Sequence, residues 1–163
     1  MPQKANHKIN ILFVCSGNIC RSPMAEALFA LLVDQAGLAD RFEIASAGTG
    51  DWHVGESPHP GTLEALRRHA VPPIKGKHAQ IVTPALLVRA DYLIALDAGH
   101  AHELRAFGHP IDNKVSRLLD YAPGVATRDV PDPYYSGKYE EAYQLIDAGA
   151  RGLLGHIRRE QSL

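Results

Sequence analysis

Cys15 and Arg21 enclose the five residues Ser16-Gly17-Asn18-Ile19-Cys20, and Ser22-Pro23 follows directly. A thiol, five small or short side chains and a guanidinium suit the capture of an oxyanion. A tight loop with its N–H groups turned inward, backed by a helix start, attracts phosphate-like groups through amide donors and the positive helix end. Gly17 and Asn18 are the residue types that most readily take the positive φ such a loop requires. Arg21 can grip two oxygens with its planar fork. In a field of that sign a cysteine pKa is drawn from about 8.5 into the range of about 3.5–7.5, so Cys15 is expected to be a thiolate at neutral pH. Spacing alone is a weak signal; the flanking segments carry the reading.

Those flanks read clearly. Ile9-Asn10-Ile11-Leu12-Phe13-Val14 is nearly all apolar, as in a parallel strand buried on both faces. After the loop, Ser22 is expected to act as the N-cap of a helix with Pro23 at its first position. Met24, Ala27, Leu28, Leu31 and Gln35 trace the helical period, and Gly37 closes it. A second strand is expected over 42–47, ended by Gly48 and Gly50, and a helix over about 61–69. Helical stretches at 84–89 and 98–107 flank a strand at 91–96. A short strand at 114–118, a loop at 121–137 and a helix at 139–158 complete the chain. Strands alternating with helices predict an α/β fold. This is a doubly wound, mostly parallel four-stranded sheet with helices on both faces and a phosphate-binding loop after the first strand. Residues 1–8 are polar and patternless and read as a loose N-terminus; residues 9–163 read as a single domain.

Composition narrows the function. At 163 residues and 17.7 kDa the chain suits one domain. Hydrophobic residues at 45% and charged ones at 21% exclude wholesale disorder and fibrous repeats. Seventeen basic against eighteen acidic residues give a net charge of −1, which argues against a nucleic-acid partner. There is no apolar run of the roughly 20 residues a membrane span needs, and the first apolar run lacks a signal cleavage site, so a soluble, cytoplasmic protein is expected. Two cysteines are too few for a disulfide scaffold. His100 and His102, two apart on a predicted helix, point to different faces, so no metal site is expected there, and no cofactor is called for.

The segment Val14-Cys15-Ser16-Gly17-Asn18-Ile19-Cys20-Arg21-Ser22-Pro23-Met24-Ala25-Glu26 resembles the signature of the low-molecular-weight protein tyrosine phosphatases. Ser46-Ala47-Gly48-Thr49-Gly50 with Asp51-Trp52-His53-Val54-Gly55, then Leu96-Asp97 and Asp132-Pro133-Tyr134-Tyr135, fall where that family has similar motifs. The resemblance implies that Cys15 attacks phosphorus and forms a phosphocysteine. Arg21 and the loop from Ser16 to Ser22 would hold the phosphoryl oxygens, and Asp132 would be the general acid. Ser22 would hold the thiolate and Asn18 the loop conformation. Trp52, Tyr134 and Tyr135 would line the cleft mouth, and Cys15 with Cys20 could form a reversible disulfide. Ile19 beneath the ring suits a phenyl group better than a guanidinium. The implied partners are tyrosine-phosphorylated proteins or peptides, with phosphate and other oxyanions as inhibitors.

The match departs in places. Ser16 replaces a larger apolar residue, Ser57-Pro58-His59-Pro60-Gly61 lacks an acidic helix start, and Lys77-His78-Ala79-Gln80 stands for a His-x-Ala-Arg segment. Asp97 reads either as an orienting partner of Arg21 or as a strand-end cap. Three other functions stay open at this point. Arsenate reduction would need a relay cysteine far from the loop, a phosphoprotein-binding module would need a disabled site, and a phosphoarginine or sugar-phosphate phosphatase would share the chemistry.

Overall fold

Ile9–Cys15 forms the first strand, β1, and its side chains divide between two cores. Ile9, Ile11, Phe13 and Cys15 enter one, Leu12 and Val14 the other. That division is why the strand is almost uninterruptedly apolar. The computed structural model describes residues 7–163, so residues 1–6 of the expected loose N-terminus lie outside the described part.

Three further strands, β2 (Phe42–Gly48), β3 (Tyr92–Ala95) and β4 (Val115–Arg117), complete a sheet in the order β2-β1-β3-β4, with every pairing parallel. One face is covered by α1 (Arg21–Gln35), α2 (Pro60–Arg68) and α6 (Tyr139–Gln161), the other by α3 (Pro84–Arg89) and α4 (Ala98–Arg105). Phe29 of α1 meets Phe13 and Phe42 edge-on, with ring centroids 5.6 and 5.8 Å apart. Such contacts fix α1 against the sheet. The chain runs outward from β1 to β2 and then crosses back to β3. The carboxyl ends of β1 and β3 therefore flank the switch point, where doubly wound sheets hold ligands.

Local outcomes refine the expectations. Helix α1 begins at Arg21, one residue before Ser22, and Cys20 precedes it without a side-chain cap bond. Ser22 is thus not the N-cap, because its hydroxyl is taken up by Cys15 and Asn18 inside the loop. Gly37 does end α1: at φ 73° its amide reaches Asp34 O at 2.9 Å while Leu38 N reaches Val33 O at 2.9 Å, a Schellman motif. The segment expected as a loop at 121–137 contains a one-turn helix, α5 (Pro133–Ser136), capped by Asp132 Oδ1, which accepts from Tyr134 N at 3.0 Å. Four residues are too few to show a period in sequence.

Candidate active site

Cys15 ends β1, 2% exposed, and the loop that follows is fastened from behind. Asn18 stands in the left-handed region at φ 59°. Its amide nitrogen donates to Ser22 Oγ at 2.8 Å and to Ser46 Oγ at 2.9 Å, and its Oδ1 accepts from Gln80 N at 3.0 Å. A carboxamide nitrogen only donates, so Ser22 Oγ accepts there and its own hydrogen is free for the Cys15 sulfur, 2.9 Å away. The chain of bonds continues inward. Ser46 donates to Glu26 Oε1 at 2.5 Å, and Lys77 Nζ lies 3.4 Å from that oxygen while donating to Ser46 O at 2.8 Å. Burial pushes the Glu26 carboxyl above its ordinary range, opposed by Lys77 and by Ser46. The Lys77-His78-Ala79-Gln80 departure therefore still serves the loop, through the Lys77 ammonium and the Gln80 amide.

Two glycines make the loop possible for reasons of space. Gly17, expected at positive φ, is not there; a Cβ on it would stand 2.7 Å from His53 Cδ2. Gly48 is pressed against backbone: its Cβ would meet Ser16 O at 2.7 Å and Gly17 C at 3.1 Å. The strand end around Gly48 also donates to the loop, Thr49 N to Cys15 O and Gly50 N to Ser16 O, each at 2.9 Å.

Arg21, 3% exposed, projects from the first residue of α1. Its Nη1 donates to Asp97 Oδ2 and Val130 O, both at 2.8 Å, and its Nη2 lies 3.5 Å from Asp132 Oδ2. Asp97 pairs with Arg21 as expected, and instead of a strand-end cap, the other expectation, it is the N-cap of α4, Oδ1 accepting from His100 N at 3.0 Å. Burial alone would raise its carboxyl, but the His100 amide, His100 itself and the Arg21 guanidinium hold it below the ordinary range.

A cleft of about 340 Å³ opens over these groups, lined by Cys15, Ser16, Gly17, Ile19, Cys20, Arg21, Trp52, His53, Asp132, Tyr134 and Tyr135. The predicted residues thus converge, except that Asn18 and Ser22 lie behind the cleft, 1% and 0% exposed, and do not line it. Trp52 at 70% and Tyr135 at 89% exposure stand at the rim, the Trp52 ring over Gly50 and Tyr135 against Tyr134 with centroids 5.2 Å apart. Tyr134 also packs between His53 and His59, with centroids 5.7 and 5.8 Å apart. A larger groove, about 870 Å³, opens at the amino ends of the strands beside Ile9, Tyr92 and Glu160, but it gathers no thiol.

Sequence reasoning missed His53, His59, Tyr139 and His100. Tyr139 Oη lies 2.9 Å from His59 Nδ1 and 3.5 Å from Cys20 Sγ, tying α6 to the loop. Burial pushes the Cys20 thiol up to about 11, against the Tyr139 hydrogen bond, so it is neutral near pH 7. Of these four, only His53 falls within a family-like motif, and His59 within a stretch that departs from one.

A family described as low molecular weight phosphotyrosine protein phosphatase matches residues 10–163 of the chain. The chain belongs to this family. It is 46% identical over 156 residues to the low molecular weight protein-tyrosine-phosphatase YfkJ of Bacillus subtilis, covering 95% of this chain and 99% of that one. A Streptomyces coelicolor phosphatase of the same description is 43% identical, covering 92% and 94%. The crystal structure of YfkJ superposes with a TM-score of 0.89 over 94% of this chain and 96% of its own. That of an Entamoeba histolytica protein tyrosine phosphatase, 25% identical, gives 0.87 over 95% and 99%. The phosphatase is accordingly an enzyme of the phosphoric monoester hydrolase class. Among its described residues no helix is long and apolar enough to cross a membrane.

Proposed function

We propose that this phosphatase hydrolyses phosphotyrosine in proteins or peptides through a phosphocysteine on Cys15, within a single domain spanning residues 9–163. One observation carries the reading: the Cys15 sulfur lies in the same cleft as Arg21 and Asp132, with the Ser22 hydroxyl behind it. Among the described residues the amides of Gly17, Asn18, Ile19 and Cys20 donate to no protein acceptor, so they are available to an anion. In the first step the sulfur forms a bond to phosphorus as the ester P–O bond breaks. The departing phenolate takes the proton of Asp132, while Arg21 and the free amides neutralise the equatorial oxygens. In the second step water attacks phosphorus, gives its proton to Asp132, and the P–S bond breaks. Charge neutralisation comes from protein groups, so the chemistry calls for no metal.

Trp52 and Tyr134 bracket an aryl ring at the mouth and Ile19 supports it from below; Tyr135 offers an exposed outer contact. Both cysteines are free and buried on one loop. Oxidation of Cys15 to a sulfenic acid by hydrogen peroxide, which is reduced to water, followed by condensation with the Cys20 thiol and loss of a second water, would give a disulfide that a thiol reductant reopens. The decisive test is turnover of matched phosphotyrosine, phosphoserine and phosphoarginine peptides with a chelator present. Phosphotyrosine should be hydrolysed fastest; preference for phosphoarginine, or loss of activity to the chelator, would overturn the reading.

A further inference from the structure

Beneath the loop is a buried imidazole for which the proposed chemistry has no use. His100 lies in the first turn of α4 and is 3% exposed. Its Nε2 is 2.9 Å from Ser16 Oγ and 3.4 Å from Arg21 Nη2. Its Nδ1 is 3.2 Å from Asp97 Oδ1, which also accepts from the His100 amide, and makes no well-aligned hydrogen bond.

The surrounding charges choose the tautomer. A guanidinium only donates, so a hydrogen on Nε2 would face another donor and a positive charge. A lone pair on Nδ1 would likewise face the Asp97 carboxylate. With the hydrogen on Nδ1 both conflicts disappear, and the one lone pair of Nε2 is shared between the Ser16 hydroxyl at 2.9 Å and Arg21 Nη2 at the longer 3.4 Å. Burial pushes His100 down to about 4, which keeps the ring neutral near pH 7.

The consequence concerns Arg21. Asp97 and Val130 occupy Nη1, leaving Nη2 between His100 and Asp132 Oδ2, 3.5 Å away. Without the imidazole, Asp132 would be the polar group left beside Nη2 among the described residues, and a tilt toward it would shorten the ion pair and turn the fork away from a phosphoryl group. We propose that His100 is a positioning residue, its Nε2 anchoring Arg21 Nη2 and the Ser16 hydroxyl so that the fork and the loop face the same bound oxyanion. Ser16, a departure from the family pattern, supplies the second donor of this arrangement. The proposal rests on the reading of Arg21 as the group that binds phosphate.

The test compares wild type with His100→Leu, His100→Gln and Ser16→Ala. It measures kcat and KM on an aryl phosphate and, separately, the affinity for inorganic phosphate from its protection against thermal unfolding. His100→Leu should lower kcat/KM about 10- to 100-fold, as misplaced positioning does, and weaken phosphate binding about tenfold, the worth of one charge-assisted hydrogen bond. Glutamine places an amide oxygen near the Nε2 position and should recover most of both losses. In an Arg21→Lys background His100→Leu should add little, because its effect runs through the fork. Should His100→Leu fail to fold, His100→Gln and Ser16→Ala still decide: glutamine must keep near-normal phosphate binding and Ser16→Ala must weaken it about two- to threefold. Unchanged phosphate affinity in His100→Leu, equal losses for leucine and glutamine, or full additivity with Arg21→Lys would overturn the proposal. Wild type that binds phosphate without hydrolysing aryl phosphates would instead remove the proposed activity and leave the phosphate arm to judge His100.

Discussion

The Ser22 hydroxyl lies 2.9 Å from the Cys15 sulfur, and its oxygen already accepts from Asn18 Nδ2 at 2.8 Å. The serine hydrogen is therefore available to the sulfur, and in the proposed mechanism it would stabilise the negative charge of the nucleophile. A hydrogen bond to a charged group contributes about 1.5–3 kcal/mol, so Ser22→Ala should reduce kcat on an aryl phosphate about 10- to 100-fold while KM changes little. Steady-state kinetics checks this. A wild-type kcat in Ser22→Ala would show that the hydroxyl does not act on the thiolate.

Asp132 faces the cleft 3.5 Å from Arg21 Nη2, placed by its own capping of α5. Protonating a leaving group typically contributes about 10²–10⁴ in rate. Asp132→Asn should lose most of that factor on poor leaving groups such as a simple phenolate. It should lose far less on activated nitrophenolates, which depart without a proton. Equal losses across a leaving-group series would reject Asp132 as the acid.

His100 makes folding stability depend on pH with a definite sign. Burial depresses its folded pKa to about 4 from an ordinary 6.5, so between those values the unfolded chain binds the extra proton. Stability contributed by the neutral buried ring is complete above 6.5 and is lost as pH falls toward 4. At about 1.4 kcal/mol per pH unit the loss amounts to roughly 3 kcal/mol. Urea unfolding at about pH 7 and about pH 4.5, either side of most of that window, should show this component in wild type and not in His100→Gln. Identical pH dependence in the two proteins would contradict it.

Gly48 has loop backbone against the place where a side chain would begin, with Ser16 O 2.7 Å from the position a methyl group would take. Neither side can yield without moving the oxyanion loop. Overpacking of this kind costs about 1–3 kcal/mol. Gly48→Ala should therefore unfold at lower temperature and lose phosphate affinity together. A variant that keeps full phosphate affinity would show that the loop tolerates displacement.

Much of this arrangement was legible in sequence because it is local. The strand, the Cys15-to-Arg21 loop and the helix start are contiguous, and the apolar run of β1 announces burial on both faces. The parallel four-stranded sheet followed from the alternation of elements. What escaped was set by contacts between distant segments. His100 was weighed only against His102 as a metal ligand, yet its neighbours Ser16 and Arg21 are 84 and 79 positions away. Gly48 owes its constraint to a loop far earlier in the chain, and Gly17 owes its own to the His53 ring rather than to φ. Ser22 matched the N-cap preference, but a buried sulfur and the Asn18 amide outcompete the helix terminus for its hydroxyl. Asp132-Pro133 is by itself an ordinary turn dipeptide; the family motif and the 3.5 Å approach to Arg21 Nη2 are what single Asp132 out.

Above all, Cys15 should carry the phosphoryl group during turnover. Rapid acid quench of the phosphatase with an aryl phosphate, followed by mass spectrometry of its peptides, tests this most directly. Wild type should carry the phosphoryl group on the peptide containing Cys15, and Cys15→Ser should show neither the adduct nor turnover while still binding phosphate. A phosphoryl group on any other residue, or hydrolysis by Cys15→Ser, would contradict the assignment.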